Sequence, residues 1–165
     1  MREAVVRIRQ AADLDDCVEA LRVVHRADAY PLNWPAEPRG WLTPPGLLRA
    51  WVAELPPGTI AGHVAVQRAP GGAGLHAELS RLFVTPAARR HSIATALIRR
   101  ARSWAAEHGH GHRLTLSVTD DHRSAAVALY EAAGWRHSHT TDADWTAPDG
   151  GPVRLRHYVL GDRDD

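Results

Sequence analysis

Residues 78–98 read ELSRLFVTPAARRHSIATALI: an apolar strand, a stop at Thr85-Pro86, two arginines and then an amphipathic helix. A helix that begins just beyond a strand end has first backbone N–H groups with no partner inside the helix. These groups lie at the positive end of the helix dipole, where an anionic diphosphate binds favourably. The segment therefore predicts an anion-binding turn between a strand and a helix.

The alternation of apolar residues in the strand slips by one position. Leu75, Ala77 and Leu79 share one phase, whereas Leu82 and Val84 take the other. A β-bulge would produce this slip, and so would a continuous strand that is buried on both faces. The choice matters because a bulge would turn this strand away from its neighbour and expose backbone groups to a ligand.

The same segment resembles the acetyl-CoA-binding motif of the GNAT N-acetyltransferase superfamily, V-x-P-x-x-R-G-x-G-[IV]-[GA]. The matching residues are Val84, Pro86, Arg89, Ile93 and Ala94, and the two middle glycines are replaced by Arg90 and Ser92. Glycine tolerates a positive φ, so Arg90 would be strained if its position required one. The Ser92 hydroxyl and the Arg90 guanidinium can themselves bind phosphate.

Two further segments carry the resemblance. Residues 114–135, LTLSVTDDHRSAAVALYEAAGW, are similar to the family's L-x-V…N-x-x-A-x-x-LY-x-x-x-G-[FW] segment, with Arg123 at the asparagine position. Residues 51–66, WVAELPPGTIAGHVAV, resemble its second and third strands. The likeness extends over roughly residues 5–160. It implies an α/β (α+β) fold: a mixed, largely antiparallel sheet of six to seven strands, about four helices, and a splayed V between the fourth and fifth strands.

The resemblance also implies where acetyl-CoA would bind. The edge of the fourth strand would pair with the pantetheine arm, and a backbone N–H there would polarise the thioester carbonyl. The start of the following helix would bind the diphosphate. The residues implied in binding are Leu82, Phe83, Val84, Arg89, Arg90, His91, Ser92, Ile93, Ala94, Thr95 and Arg123.

Two residues are candidates for proton transfer. Many family members place a carboxylate base, acting through water, where this chain has Glu78; alternatively, Glu78 is a surface residue that pairs with an arginine such as Arg81. Tyr130 occupies the family's LY position, where a phenol can protonate the departing thiolate. The other interpretation of Tyr130 is a core aromatic on the apolar face of its helix.

The acceptor would be a primary amine, either a small molecule or a peptide. Four aromatic residues are placed where family members close over the acceptor: Tyr30, Trp34 and Trp41 in the early loop, and Trp145 in the late one. They are equally consistent with packing in a Pro-rich loop. His25 is a further candidate, because it precedes the aromatic loop. Alternatively, the protein has the same fold but is a catalytically weak acyl-CoA-binding module or sensor.

Composition narrows the remaining classes. The chain has 165 residues, 44% hydrophobic and 24% charged, with a net charge of +1, so we expect one domain over 1–165 and no general polyanion binding. There is no apolar run of membrane-spanning length and no secretory signal, so a bacterial-type cytoplasmic protein is expected. Family members are often dimers, which leaves a homodimer open.

A cluster of histidines and a cluster of arginines could each be a functional site or an ordinary solvated surface. His108, His110 and His112 alternate with glycine, but no nearby cysteine or carboxylate completes a metal site, so we predict a solvated turn and no metal. The arginines of the helix after residue 92 suggest a nucleic-acid surface, or a solvated face opposite an apolar stripe. The second interpretation is favoured because no other basic run extends the footprint.

Hydrophobic periodicity and turn residues predict the remaining helices, strands and loops. We expect a strand at Val5–Ile8, a helix after Asp13, a short helix near Gly46–Trp51 and a hairpin about Pro56-Pro57-Gly58. Two closing strands, residues 135–140 and 153–160, are expected to flank a loop at residues 142–151.

Overall fold

Seven strands form one mixed sheet in the computed structural model, which describes residues 3–69, 77–89, 92–109, 114–119 and 125–160, with the backbone alone at residues 125 and 126. Their order across the sheet is β1-β2-β3-β4-β5-β7-β6, and every neighbouring pair is antiparallel except β4 and β5. This confirms the predicted mixed, largely antiparallel sheet. The strands are β1 (Val5–Ile8), β2 (Leu47–Leu55), β3 (Thr59–Arg68), β4 (Ala77–Val84), β5 (Leu114–Thr119), β6 (Trp135–Thr146) and β7 (Pro152–Leu160).

Helices cover both faces of the sheet. They are α1 (Leu14–Asp28), α2 (Pro38–Trp41), α3 (Ile93–Glu107) and α4 (Ala125–Ala132). Along β2, Trp51 and Ala53 belong to the core cluster that contains the buried stripe of α3, whereas Val52 between them belongs to the cluster of α1. This alternation is the period-two pattern of a strand that is buried on both faces.

Gly62 on β3 sets the approach of α3 to the sheet. A Cβ at this position would lie 3.0 Å from Leu97 Cδ1, 3.1 Å from Ile93 Cγ2 and 3.2 Å from the carbonyl oxygen of Phe83. A side chain here would force these neighbours to shift by a few tenths of an ångström, whereas glycine allows the close approach. The close packing fixes the start of α3 against the centre of the sheet.

Two predicted boundaries are wrong. Residues 46–51 are not a helix, because β2 already begins at Leu47 and pairs there with Gln67 of β3; the short helix lies earlier, at Pro38–Trp41. Residues 142–151 are not all loop, because β6 continues to Thr146, which pairs with Pro152. That part of β6 is polar because it is the exposed edge of the sheet, so its composition resembles that of a loop.

Candidate active site

A cleft opens where the pairing of β4 with β5 ends. Only two residue pairs join these parallel strands, Ala77 with Leu114 and Glu78 with Thr115. Both strands continue, to Val84 and to Thr119, without further pairing between them. This is the predicted splayed V. Within the described residues, the edge of β4 that carries Leu82, Phe83 and Val84 has no strand partner on its β5 side.

A β-bulge lies in β4, as the slipped alternation allowed. On β3, His63 pairs with Phe83 and Ala65 pairs with Ser80, so one residue of β3 faces two residues of β4. Arg81 in the bulge has a φ of 53°, in the left-handed region that non-glycine residues seldom adopt. The bulge turns β4 at the point where the cleft widens.

Buried His63 holds this bulge in place. Its Nδ1 lies 2.9 Å from the carbonyl oxygen of Arg81, and since a carbonyl only accepts, Nδ1–H is the donor. Its Nε2 then accepts from Arg9 Nη1 at 3.0 Å, and the ring stacks on Phe83. Burial lowers the pKa of His63 to about 3, so the imidazole is neutral. The histidine in the apolar run IAGHVAV was the sequence signal for this role, which the sequence analysis did not assign.

A 3-10 turn at Pro86–Ala88 follows the other end of β4, and α3 begins at Ile93. Ser92 precedes α3 with a φ of 59°, so the left-handed residue stands where the family motif has its second glycine. The first helical bond runs from the N–H of Ala96 to the carbonyl of Ser92. The N–H groups of the residues between them have no acceptor inside the helix, and the Ser92 side chain does not cap it.

Glu78 lies at the mouth of the cleft. Its side chain is partly buried, and burial raises the pKa of its carboxyl, while the positive charge of Arg81 acts in the opposite direction. Among the described residues, no basic group lies within ion-pair distance of this carboxylate. The alternative of a surface ion pair with Arg81 is therefore not what the structure shows.

Tyr130 is buried in α4, with 5% of its surface exposed. Its ring meets Trp135 edge-on, with the ring centroids 6.2 Å apart. Burial raises the pKa of its phenol well above the usual range, and the neighbouring Tyr30 raises it further. The group is therefore a neutral O–H donor over the whole working pH range, and it packs as a core aromatic at the same time.

Tyr30 brings the early loop to the same place. Its ring contacts Trp41 edge-on at 6.1 Å, and burial raises the pKa of its phenol to about 12 against the opposing charge of Arg81. The Arg81 guanidinium lies 4.3 Å from the Trp41 ring centre, and its Nε donates to the Trp41 carbonyl at 3.0 Å. The pKa of Glu78 responds to the charge of Arg81, that of Arg81 to Tyr30, and that of Tyr130 to Tyr30, so these four side chains lie near one another. Trp41 was among the aromatic residues expected around the acceptor, whereas Arg81 was expected only as a possible ion-pair partner of Glu78.

The other predicted acceptor residues lie around the early loop. Trp34 packs between His25, 5.3 Å away, and the Arg22 guanidinium, and His25 Nδ1 donates to the Pro31 carbonyl at 2.8 Å. Trp145 is 39% exposed near the end of β6. The amide of Asn33 donates to the Thr146 carbonyl at 2.9 Å, which links the early loop to the end of β6.

Arg89 has a structural partner. Its guanidinium contacts the Asp28 carboxylate at the end of α1 and donates to the Val84 carbonyl at 3.2 Å.

Arg90, His91 and Arg123, which were predicted to bind acetyl-CoA, lie outside the described residues, as do His110, His112 and Leu75.

The described ranges contain neither a cluster of metal-binding side chains nor a helix suited to span a membrane. No group of three or more histidine, cysteine, aspartate or glutamate side chains there could hold a metal ion. Among the same residues, no helix is both long and apolar enough to cross a membrane.

The sequence profile described as the acetyltransferase (GNAT) family matches residues 14–135, which is most of the chain and contains the whole cleft. The chain belongs to this family. It is therefore an acyltransferase of the GNAT type, and the match agrees with the motif at residues 84–94. A comparison with curated proteins finds no match.

Solved structures share the whole fold. A ribosomal-protein-alanine N-acetyltransferase from Brucella melitensis is 21% identical, with a TM-score of 0.75 over 94% of this chain and 99% of that one. Arabidopsis thaliana NAA60 in complex with acetyl-CoA is 18% identical, with a TM-score of 0.73 over 95% and 97%. A GCN5-related N-acetyltransferase from Kribbella flavida is 25% identical, with a TM-score of 0.69 over 94% and 95%.

Proposed function

We propose that this protein transfers an acetyl group from acetyl-CoA to a primary amine by direct attack of the amine on the thioester. One observation carries the proposal: among the described residues, the edge of β4 at the cleft has no strand partner, and the first N–H groups of α3 have no acceptor inside the helix. A pantetheine arm needs the first feature and a diphosphate needs the second. The family match and the acetyl-CoA complex of the NAA60 neighbour support the same co-substrate.

The chain's own groups fit acetyl-CoA. Backbone groups of Leu82, Phe83 and Val84 would pair with the pantetheine amides, and one N–H there would donate to the thioester carbonyl. The amides of Ser92, Ile93, Ala94 and Thr95 would face the diphosphate. Arg89 is held by Asp28 and Val84, so it shapes the turn more than it offers a free charge.

Glu78 would accept the proton that the acceptor amine must lose. Only a neutral amine attacks, and a carboxylate whose pKa is raised by burial is a stronger base than an ordinary one. The amine nitrogen forms a bond to the carbonyl carbon, the carbon–sulfur bond breaks, and the electron pair stays on sulfur. Tyr130, whose phenol stays neutral because burial raises its pKa, would protonate that thiolate.

No covalent intermediate on the protein is required. Cys17 is the one cysteine in the chain, and its thiol is fully buried in the cluster of α1. Burial raises its pKa to about 12, which removes the thiolate needed for a nucleophile. Direct transfer is consistent with this arrangement.

A second candidate is an acyl-CoA-binding module without turnover. The observation that favours it is the left-handed Ser92, where the family motif has glycine. A side chain at that position hinders close contact between the backbone N–H groups and the phosphates. Release of free CoA in the presence of amines separates the two candidates.

The test is a thiol-release assay with acetyl-CoA and a panel of primary amines. The proposal predicts CoA release that depends on the amine, and about a 10²-fold lower kcat in Tyr130→Phe, because the general acid is lost. Acetyl-CoA affinity, measured by calorimetry, should stay close to that of the parent protein.

The matched control is Tyr158→Phe. Tyr158 is also fully buried, and its hydroxyl has no hydrogen-bond partner among the described residues, so loss of this hydroxyl should leave kcat unchanged. Binding of acetyl-CoA with no release for any amine would favour the binding module. Equal kcat in the parent and Tyr130→Phe would remove Tyr130 from the chemistry.

A further inference from the structure

Among the residues that the structure describes, no carboxylate forms an ion pair with the Arg81 guanidinium. The Arg81 side chain is partly buried, and Trp41 fixes it twice, through the stacking contact at 4.3 Å and the hydrogen bond from Nε. Its terminal nitrogens, Nη1 and Nη2, make no hydrogen bond or ion pair with any described residue. A guanidinium taken partly out of water without an anion is held at a cost in free energy.

Arg81, which carries this charge, also has an unusual backbone conformation. Arg81 sits in the β-bulge with a φ of 53°, and His63 and Arg9 behind it fix the bulge through hydrogen bonds. Glu78 lies three residues earlier on the same strand, is also partly buried and is also without an ion pair among the described residues. The two opposite charges are therefore near enough to shift each other's pKa without forming an ion pair.

We propose that the acceptor carries a carboxylate within a few bonds of its amine, and that Arg81 binds this carboxylate while Glu78 receives the amine. The inference rests on the proposed acetyl transfer and names its acceptor class: a free amino acid rather than an amine without an acid group. Nη1 and Nη2 offer the planar pair of donors that a carboxylate accepts. Tyr30 and Trp41 form the apolar wall beside them.

The test uses trios of acceptors that share one side chain: an amino acid, its carboxamide, and the amine left after decarboxylation. Trios built on alanine, leucine, phenylalanine and glutamate cover different side-chain sizes and charges. The carboxamide also stands in for a peptide N-terminus, which has no free α-carboxylate. Within the trio that the protein acetylates, kcat/KM should be about 10- to 100-fold higher for the amino acid than for its carboxamide or its decarboxylated amine. This factor corresponds to the free energy of a charge-assisted hydrogen bond.

Arg81→Asn is the informative variant, because asparagine tolerates the left-handed conformation and removes the charge. It should raise KM for the amino acid about 10- to 100-fold and lower kcat/KM for the amino acid by that factor relative to the decarboxylated amine, while acetyl-CoA affinity stays unchanged. Arg81→Lys should recover part of the preference. Arg154→Asn, at an exposed arginine on β7, is the matched control and should keep the parent selectivity.

Two failures are distinguishable. If the parent protein acetylates the amine, the carboxamide and the amino acid equally, or prefers the uncharged members, the acceptor class is wrong and the transfer reaction stands. If no amine in any trio is acetylated although acetyl-CoA binds, the transfer reaction itself is wrong, and this inference fails with it.

Discussion

At the scale of single residues, burial decides which side chains can do chemistry. Glu78 and Tyr130 both have raised pKa values because the sheet and α4 exclude water from them. The effect differs for the two groups. It makes the carboxylate more basic, and it keeps the phenol protonated.

Glu78→Gln tests the proposed base. We expect kcat/KM of the parent to rise with pH through the raised pKa of Glu78, because only the ionised carboxylate accepts a proton. Glutamine should lower kcat/KM by about 10²-fold and remove that limb of the pH profile. Asp144→Asn, at an exposed carboxylate on β6, is the control and should keep the parent profile.

The same substitution has a consequence for stability. A carboxyl whose pKa is raised by folding binds its proton more tightly in the folded state, so its contribution is fully present below the unfolded pKa and is lost as pH rises through the folded pKa. At neutral pH, Glu78→Gln should therefore raise the Tm while it lowers activity. A lower Tm would show that the carboxylate is held by a stabilising partner.

At the scale of elements, the bulge in β4 and the start of α3 both depend on β3. His63 supports the bulge through hydrogen bonds, and Gly62 next to it admits α3 through the absence of a side chain. One short stretch of β3 therefore positions both ends of the proposed acetyl-CoA site.

Gly62→Ala should displace α3. The added methyl group would lie within 3.2 Å of Leu97, Ile93 and the Phe83 carbonyl, and we expect a loss of about 1–3 kcal/mol in the free energy of unfolding. Acetyl-CoA affinity should fall as well, because the start of α3 moves. Gly40→Ala is the control: its new Cβ would meet one side chain at 3.6 Å, and urea unfolding should show little change.

His63→Phe should loosen the bulge. Phenylalanine keeps the ring that stacks on Phe83 but leaves the Arg81 carbonyl and Arg9 without their shared partner, which costs roughly 1–3 kcal/mol. The exposed His137→Phe on β6 should stay within about 0.5 kcal/mol of the parent. Equal urea midpoints for both variants would contradict the role assigned to His63.

At the scale of the whole molecule, the family resemblance carried by three sequence segments implied the mixed sheet and the splayed V, while apolar periodicity predicted most of the individual strands and helices. The slip between Leu79 and Leu82 allowed the bulge but did not decide it, because a doubly buried strand has the same letters. The end of β6 was misjudged because an exposed edge strand is as polar as a loop.

The contacts around the proposed acceptor site could not be predicted from the sequence, for a different reason. Arg81 and Trp41 are 40 residues apart in the sequence, and only the fold brings the guanidinium over the indole. His63 gave a weak signal, as a histidine within an apolar run. A single sequence cannot distinguish a core histidine that holds a backbone carbonyl from one that lines a pocket.

The most direct measurement is transfer of an isotope-labelled acetyl group from acetyl-CoA to primary amines, followed by mass spectrometry of the products. The account predicts labelled amide on at least one amine, formed with one CoA released per amide, and a rate about 10²-fold lower in Tyr130→Phe. Acetyl-CoA that binds the protein and remains intact with every amine would contradict it.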